Sequence, residues 1–234
     1  MTNQPLWPAA AIIAIGMAAS AALLGNSLAS ARMAERAVTV RGLAEQDVTA
    51  NLATWSLAAV ANGSDMASLQ AGSERDAAAI IAFLKAKGFT DDEIETGAIN
   101  INQYTNQNGI PNITIRRNIK LRTTRVMEAR AAYSAQAELI RSGVIFDSND
   151  GGMVYSFTRL NDVKPAMIAA ATKNAREGAD QFAKDSGTSV GEIKTASQGY
   201  FSIIPRDGDN AAGSANASPF QKVRVVTTID FYLQ

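Results

Sequence analysis

The chain contains no cysteine and no histidine among its 234 residues. Without cysteine there is no disulfide, no thiolate nucleophile and no cysteine-ligated zinc. Without histidine the chain lacks the side chain best suited to proton transfer near neutral pH and the commonest metal ligand. We therefore predict no catalytic residue, no metal and no cofactor, because an enzyme would have to rely on carboxylates, lysines, hydroxyl groups or a borrowed cofactor.

An excess of charge of either sign is also absent. The 22 Lys and Arg residues balance the 22 Asp and Glu residues, so the formal net charge is zero. No overall attraction to nucleic acid is expected, and we predict no nucleic-acid partner. Hydrophobic residues make up 47% of the chain. That content supports one large packed domain or two small ones and excludes a mainly disordered chain.

Charged residues are missing from the first 31 positions, and the first one is Arg32. At a rise of about 1.5 Å per residue, a helix over residues 6–31 would cross a hydrocarbon layer of about 30 Å. No basic residue precedes this run, which is also long for a cleaved signal peptide. We predict a retained transmembrane anchor and neck over residues 1–36. Its contacts with membrane lipid would come from Leu6, Trp7, Ile12, Ile13, Ile15, Leu23 and Leu24.

Two alternatives stay open for the leader. Ser27-Leu28-Ala29 and Ala29-Ser30-Ala31 carry the small residues that a signal peptidase requires, so cleavage competes with retention. By the positive-inside rule, Arg32, Arg36 and Arg41 would place the part of the chain that follows the apolar run in the cytoplasm. Three arginines around one glutamate favour that orientation only weakly.

Strand-like alternation appears at Val38–Val40 and again over residues 47–61, where few charges occur and both faces are predicted to be covered. A polar hairpin is predicted over residues 105–112 and a mobile loop over residues 206–219. Further strands are predicted over residues 94–104, 113–123, 153–157, 193–204 and 223–231.

Three helices are predicted in the body, each ended by a glycine that can adopt a positive φ. The first follows Ser64 or Asp65 as N-cap and runs to Lys87, the second spans residues 124–142, and the third opens at 161–162 and stops at Gly187. Two of them carry an apolar stripe for packing on a sheet. These stripes are Ala77, Ile80, Ile81 and Leu84, and Ile168, Ala171, Ala175, Ala179 and Phe182.

The first and third helix ends match at a constant offset of 99 residues. The identical residues indicate two βαβ-like halves, while an internal repeat competes with chance agreement. The matching pairs are Phe83 and Phe182, Lys85 and Lys184, Gly88 and Gly187, Glu93 and Glu192, Ile94 and Ile193, and Thr96 and Thr195.

This order of features resembles the SIMPL-domain family, which includes periplasmic oxidative-stress-defence and immunogenic proteins of Gram-negative bacteria. The resemblance covers about residues 37–234. It is carried by Val38–Glu45, Phe83–Gly88 with Asp91–Thr96, the helix containing Ala175-Arg176, and the C-terminal strand. It implies an α+β body with helices packed on antiparallel sheets, export from the cytoplasm and assembly into rings or channel-like oligomers, without an established reaction. The leader and residues 161–165 resemble the membrane-anchored branch of this family.

The densest basic stretch lies near the middle of the chain. We predict that it occupies a solvated edge strand, where charge protects against unwanted pairing. Contact with anionic lipid heads or with a partner's acidic edge is the alternative. The residues of this possible interaction edge are Arg116, Arg117, Lys120, Arg122 and Arg125.

Structural explanations are preferred for the other patterns. Gly187–Gly191 fits the GxSxG nucleophile elbow, but it follows a helix and has no histidine partner, so we expect a helix-ending loop. The acidic run at residues 91–95 lacks the alternate ligand spacing of a calcium loop, which indicates a solvated turn. Asp147, Asn149 and Asp150 also indicate a turn. Trp55 and Tyr155 are expected in the core.

These observations predict a non-enzymatic, single-pass protein of the bacterial inner membrane, with its body facing the periplasm and assembled as a homo-oligomer. The resemblance adds an expected link to envelope or oxidative stress. The alternative is a periplasmic module that binds a small molecule or a partner protein with its sheet face or the 206–219 loop; the ligand is unknown. An enzyme that uses carboxylates or hydroxyl groups is the third hypothesis.

Overall fold

The computed structural model describes residues 36–105, 109–145, 152–207 and 215–234, together with Gln107, Asp147 and five isolated helical positions between residues 16 and 25. The predicted lipid contacts Leu6, Trp7, Ile12, Ile13, Ile15, Leu23 and Leu24 lie outside the described residues, as do Asn149, Asp150 and residues 208–214 of the predicted loop. In the part of the chain that the structure describes, no helix has both the length and the apolar character needed to cross a bilayer.

Both strands and helices occur between residues 36 and 234, and the strands whose register is resolved pair antiparallel. The mixed α and β composition with antiparallel sheets is thereby confirmed. The elements are β1 (Ala37–Thr49), β2 (Leu52–Gly63), α1 (Met66–Ala86), β3 (Ile94–Thr105), β4 (Pro111–Thr123), α2 (Val126–Ser134), α3 (Ala137–Arg141), β5 (Met153–Ser156), α4 (Leu160–Asp185), β6 (Val190–Gln198), β7 (Ser202–Pro205) and β8 (Phe220–Leu233).

The chain divides into two compact units. The first unit comprises the chain up to Glu45 together with Lys164–Phe201 and Arg224–Gln234, and the second unit comprises Gln46–Val163 and Ser202–Val223. The first unit is therefore assembled from segments far apart in sequence, and the second is inserted within it.

The second unit is built on a sheet of four strands in the order β3-β4-β2-β5. Alternate residues of β2 and β4, among them Trp55 and Leu121, are buried in one cluster with Ile80 and Leu84 of α1. This period-two burial is what a sheet covered on one face requires. At the start of α1, the Asp65 carboxylate accepts a hydrogen bond from the Ser68 N–H at 3.0 Å, as predicted for an N-cap.

The first unit contains most of α4 and strands in the order β1-β8-β6, whereas β7 belongs to the second unit. Its core joins Val40, Ile229 and Phe231 of the strands to small residues of α4. Because these helix residues are spaced about four apart, they form one stripe, and their short side chains allow the helix to lie close to the sheet. The buried residues of the stripe are Met167, Ala171, Ala175, Ala179 and Ala183.

Both units have the same order of elements, strand–helix–strand–strand, which is β2-α1-β3-β4 in the second and β1-α4-β6-β8 in the first. In each sheet the last of these strands lies between the other two. The helix ends also agree. Gly88 and Gly187 have φ values of +92° and +69°, and the next residue in each case donates its N–H to a carbonyl five residues earlier. Each unit thus combines a strand–helix–strand segment with one further strand, β4 or β8, that was predicted as a strand but not as the central one.

The prediction of one continuous strand-like stretch over residues 47–61 was wrong. β1 ends at Thr49 and β2 begins at Leu52, and the two strands belong to different sheets. Ala50 donates its N–H to the Pro219 carbonyl at 2.7 Å, and Asn51 donates to the Ser156 carbonyl at 3.1 Å. Hydrogen bonds to residues distant in sequence therefore redirect the chain at this point.

Two helix predictions also need correction. The helix predicted over residues 124–142 is two helices, because the chain turns at Ala135 and Gln136 between α2 and α3. In α4, Phe182 is 61% exposed and Ala183 is buried. The buried stripe keeps a regular spacing of four and therefore continues to Ala183. The prediction had chosen Phe182 because its side chain is larger and more hydrophobic.

Gly42→Ala tests the close approach of α4 to β1. A Cβ at position 42 would overlap the Ala171 carbonyl oxygen and lie 2.7 Å from the Ala175 backbone nitrogen. Because helix backbone cannot yield as a flexible side chain does, we expect a loss of about 3 kcal/mol or more in the free energy of unfolding. The shift in the urea midpoint of the detergent-extracted protein measures this loss of stability.

Gly178→Ala is the matched control, since a Cβ there meets nothing within 4 Å. Alanine in this helix should instead stabilise the protein by about 0.5–1 kcal/mol. An unchanged midpoint for Gly42→Ala would contradict the packing described for the first unit.

Candidate functional site

The basic residues of the sequence prediction do not form one site. β4 lies between β3 and β2, so the prediction that they lie on an edge strand was wrong. β4 pairs with the preceding strand β3 and also with β2, which is 50 to 70 residues away in sequence. The charge pattern could not reveal this second pairing. Arg116, Lys120 and Arg122 lie on the face opposite α1, Arg117 has the parity of the buried residues, and Arg125 lies at the start of α2. A role in binding for these five residues stays a prediction.

Several of these cations have acidic partners within the second unit. Arg116 forms an ion pair with Asp147. Lys120 lies opposite Glu95 of β3 in the sheet register. These pairings reduce the positive charge that an anionic lipid surface would meet.

Arg125 and Glu93 form the centre of a polar network. The Arg125 Nη2 lies 2.6 Å from the Glu93 Oε2 and 2.9 Å from the Gly88 carbonyl oxygen. The Thr123 hydroxyl and the Thr90 N–H also donate to the Glu93 carboxylate. The Arg125 guanidinium, with smaller contributions from the threonines, lowers the pKa of Glu93 to about 2. This network ties the end of α1 to the start of α2, so Glu93 has a structural role.

The remaining acidic and serine patterns are turns. Asp91 pairs with Lys85 at 2.7 Å on the surface. Ser189 follows the end of α4, where its backbone exchanges hydrogen bonds with Gln234, so the GxSxG pattern is the predicted helix-ending loop. Among the residues for which the structure gives positions, no group of three or more acidic side chains could hold a metal ion.

A cavity of about 410 Å³ opens in the second unit beside the predicted 206–219 loop. Tyr155 and Met153 of β5 are buried in its wall, and Tyr133 of α2 contacts Trp55 edge-to-face with ring centroids 5.3 Å apart. Burial raises the pKa of Tyr155, so its phenol stays neutral at physiological pH. The lining residues are Arg130, Tyr133, Ser134, Gly152, Met153, Tyr155, Ala217, Ser218 and Pro219.

The predicted core position of Tyr155 is confirmed, but the cavity was not predicted. Its walls come from three segments that are separated by up to about 90 residues in sequence. No local pattern signals such a meeting, because only the sheet order brings β5 and the end of α2 together.

A second, smaller depression of about 250 Å³ lies on the polar face of the same sheet. Lys120, Glu95 and Ser56 contribute to it, and Gly97 marks the register shift in β3 between Thr96 and Ile99. Within the described residues, Asn118 Oδ1 is buried there without a hydrogen-bond partner. This depression offers polar groups of both charge signs but little apolar surface.

β3 forms one side of the sheet of the second unit. Within the described residues, β3 pairs with β4 only and no strand pairs with its outer edge. At the far edge of the sheet, β2 pairs with β5 and also exchanges hydrogen bonds with the preceding segment, from Val60 to Ile145 and from Asp147 to Ala58. Ile99, Ile101 and Tyr104 of β3 are 47%, 52% and 61% exposed. No charged residue occurs in Thr96–Ile115, a sequence signal that could have located this surface.

The geometry therefore defines an α+β protein of two βαββ units, in which β3, with Glu95 as its one charged residue, lies at the side of one sheet. The chain belongs to the SIMPL family, described as a protein of unknown function (DUF541), whose model matches residues 38–231. The family resemblance inferred from the residues is confirmed. No curated protein matches the chain.

A comparison with solved structures returns the crystal structure of a hydrolase from Listeria innocua. The likeness covers 81% of this chain and 91% of that chain, at 10% sequence identity and a TM-score of 0.22. A likeness at this level carries no argument about the fold or the activity of the present chain.

Glu93→Gln tests the polar network. The folded-state pKa of about 2 lies below the ordinary value of 4.5. The carboxylate therefore contributes its full stability above about pH 4.5 and loses it as the pH falls towards 2. At pH 7 we expect the variant to lose about 2 kcal/mol in the free energy of unfolding. Urea unfolding between pH 7 and pH 2 should show the gap narrowing below about pH 4.5.

Asp92→Asn is the control, because Asp92 is an exposed residue of the same turn. Its effect should stay within about 0.5 kcal/mol at every pH. A gap between wild type and Glu93→Gln that widened on acidification would contradict the network as described.

Proposed function

We propose that the chain is a membrane-anchored protein of the bacterial cell envelope that assembles as a homo-oligomer, in a ring or channel-like form, without catalysing a reaction. The leader is the inner-membrane anchor, and the body faces the periplasm. A link to envelope or oxidative stress is part of the proposal. Membership of the SIMPL family, whose function is unknown, is compatible with the non-catalytic part of this proposal.

The single observation that carries the assembly proposal is the β3 surface. A long strand at the side of a sheet offers unpaired backbone N–H and C=O groups, and proteins that remain monomeric usually protect such strands with charge, proline or a short length. β3 has twelve residues and only Glu95 is charged. A strand of this kind supports pairing between subunits.

The anchor is supported by composition. The first 31 residues lack any charge, and such a run of apolar residues is long enough to span a bilayer. Retention of this segment would hold the body at the membrane surface, where restricted diffusion raises the effective concentration of subunits for assembly.

We expect the expressed full-length protein to sediment with membranes, to require detergent for extraction and to elute as a homo-oligomer. Light scattering coupled to size-exclusion chromatography, corrected for bound detergent, measures the subunit number. A monomer at micromolar concentration would contradict the assembly proposal, and mature protein beginning near residue 32 in the soluble fraction would contradict the anchor.

A binding module is the second candidate, and the 410 Å³ cavity favours it. Its volume falls in the range of small-molecule sites, and its wall combines buried aromatic surface with a few polar groups. The Arg130 guanidinium lies over the Phe220 ring at 5.5 Å beside the cavity. A planar ligand with an acidic group would match this combination of aromatic surface and cation.

A thermal-shift screen of small aromatic acids tests this candidate. A ligand at 100 times its Kd stabilises the native state by about 2.7 kcal/mol, which raises the melting temperature by several degrees. Ser134→Phe places a large side chain at the cavity and should abolish the shift, while Ser197→Phe on the exposed β6 should preserve it. The absence of any shift from an intact oligomer would favour assembly over ligand binding.

A further inference from the structure

The strands at the sides of the two sheets differ in their protection against pairing. β5 has only four residues. β1 contains Arg41, Glu45 and Asp47, and β6 contains Glu192 and Lys194. β3 alone among these described strands combines twelve residues with a run from Thr96 to Thr105 that has no charge and no proline. After the register shift between Thr96 and Ile99, the described residues of this strand carry none of the charges, bulges and prolines that discourage strand addition.

The exposed isoleucines of β3 belong to the apolar face of the sheet. Ile101 lies opposite Ile115 and Ile99 lies opposite Arg117 in the β3–β4 register, on the side that α1 covers farther along the sheet. Ile113 and Ile115 are buried, while Ile99 and Ile101 remain about half exposed. The apolar face therefore continues onto β3, beyond the part that α1 covers, and within the described residues no further strand pairs with β3.

The occupant that fits this strand is a second copy of the same strand. Like charges directly opposite each other destabilise a strand pair, and a strand with no charge from Thr96 onwards meets no such repulsion from itself. Its apolar face requires apolar residues opposite, and its polar face, with Asn100 and Asn102, requires hydrogen-bonding groups. β3 itself supplies both at the same spacing.

We propose that two copies of the chain pair through β3, antiparallel and about a two-fold axis that passes beside Asn100. In this register Ile99 of each copy lies opposite Ile101 of the other, so both isoleucine pairs are buried on the same face. The two Asn100 side chains meet on the polar face. Antiparallel pairing about a two-fold axis keeps the apolar faces of the two sheets on one side.

This inference rests on the proposed homo-oligomer and assigns one of its interfaces. Joining two four-stranded sheets through β3 produces one continuous sheet of eight strands. The two-fold contact by itself closes a dimer. A ring would therefore be built from such dimers through a second surface.

Cysteine cross-linking tests the register, and the absence of native cysteine gives a clean background. Residues directly opposite in an antiparallel pair have Cα atoms about 4.5–5.5 Å apart, within the range of a disulfide. Asn100→Cys in the detergent-extracted full-length protein should form a disulfide-linked dimer under mild oxidation. Ala196→Cys on the exposed β6 is the matched control and should remain largely unlinked.

Ile101→Lys tests the energetic contribution. It places an unpaired ammonium group against Ile99 of the other copy, and we expect the dissociation constant of the dimer to rise about tenfold or more. Ile193→Lys replaces an isoleucine of similar exposure on β6 and should leave the dissociation constant unchanged. Circular dichroism checks that both variants fold, and Asn100→Cys, which alters only the polar face, provides an independent readout.

Three outcomes separate the proposals. A monomeric wild type would overturn both the homo-oligomer and this interface. An oligomeric wild type that survives Ile101→Lys and shows no cross-link at position 100 above the control would overturn the β3 interface alone. Stronger cross-linking of Ile101→Cys or Asn102→Cys than of Asn100→Cys would overturn the register proposed here.

Discussion

Gly42 has no side chain, and the backbone of α4 occupies the space that a Cβ would fill. The helix can approach β1 this closely only because its buried face is also made of small residues, from Ala171 to Ala183. The first unit thus obtains its core from a short helix–sheet distance. The second unit uses the same order of elements with larger side chains, such as Ile80 and Leu84, at the helix–sheet contact. One topology therefore accommodates two packing distances.

The larger unit also carries helices that the smaller one lacks. α2 and α3 follow β4 and add Tyr133 and Leu139 to the core around Trp55. The Glu93–Arg125 network holds the start of this extension against the end of α1. Charged groups here stabilise the arrangement of helices, and much of the polar chemistry in the second unit is used in this way.

Two surface features of the second unit bear on function. Family membership gives a fold without a known function, and a fold alone does not specify one. The β3 strand and the cavity beside Tyr155 are the two features whose physical properties point to a partner. The strand favours a second copy of the chain because it is long and has no charge after Glu95. The cavity favours a small ligand because its wall is aromatic and buried.

Features that depend on neighbouring residues could be predicted from the sequence. An N-cap at Ser64 or Asp65, helix ends at Gly88 and Gly187 and most of the strands belong to this group, because caps, positive φ and period-two burial are local properties. The central position of β4, the break between Thr49 and Leu52 and the solvent exposure of Phe182 became evident only in the folded chain. Each of these depends on hydrogen bonds or packing between segments far apart in the chain, and residue type alone does not specify which distant strand a segment will pair with.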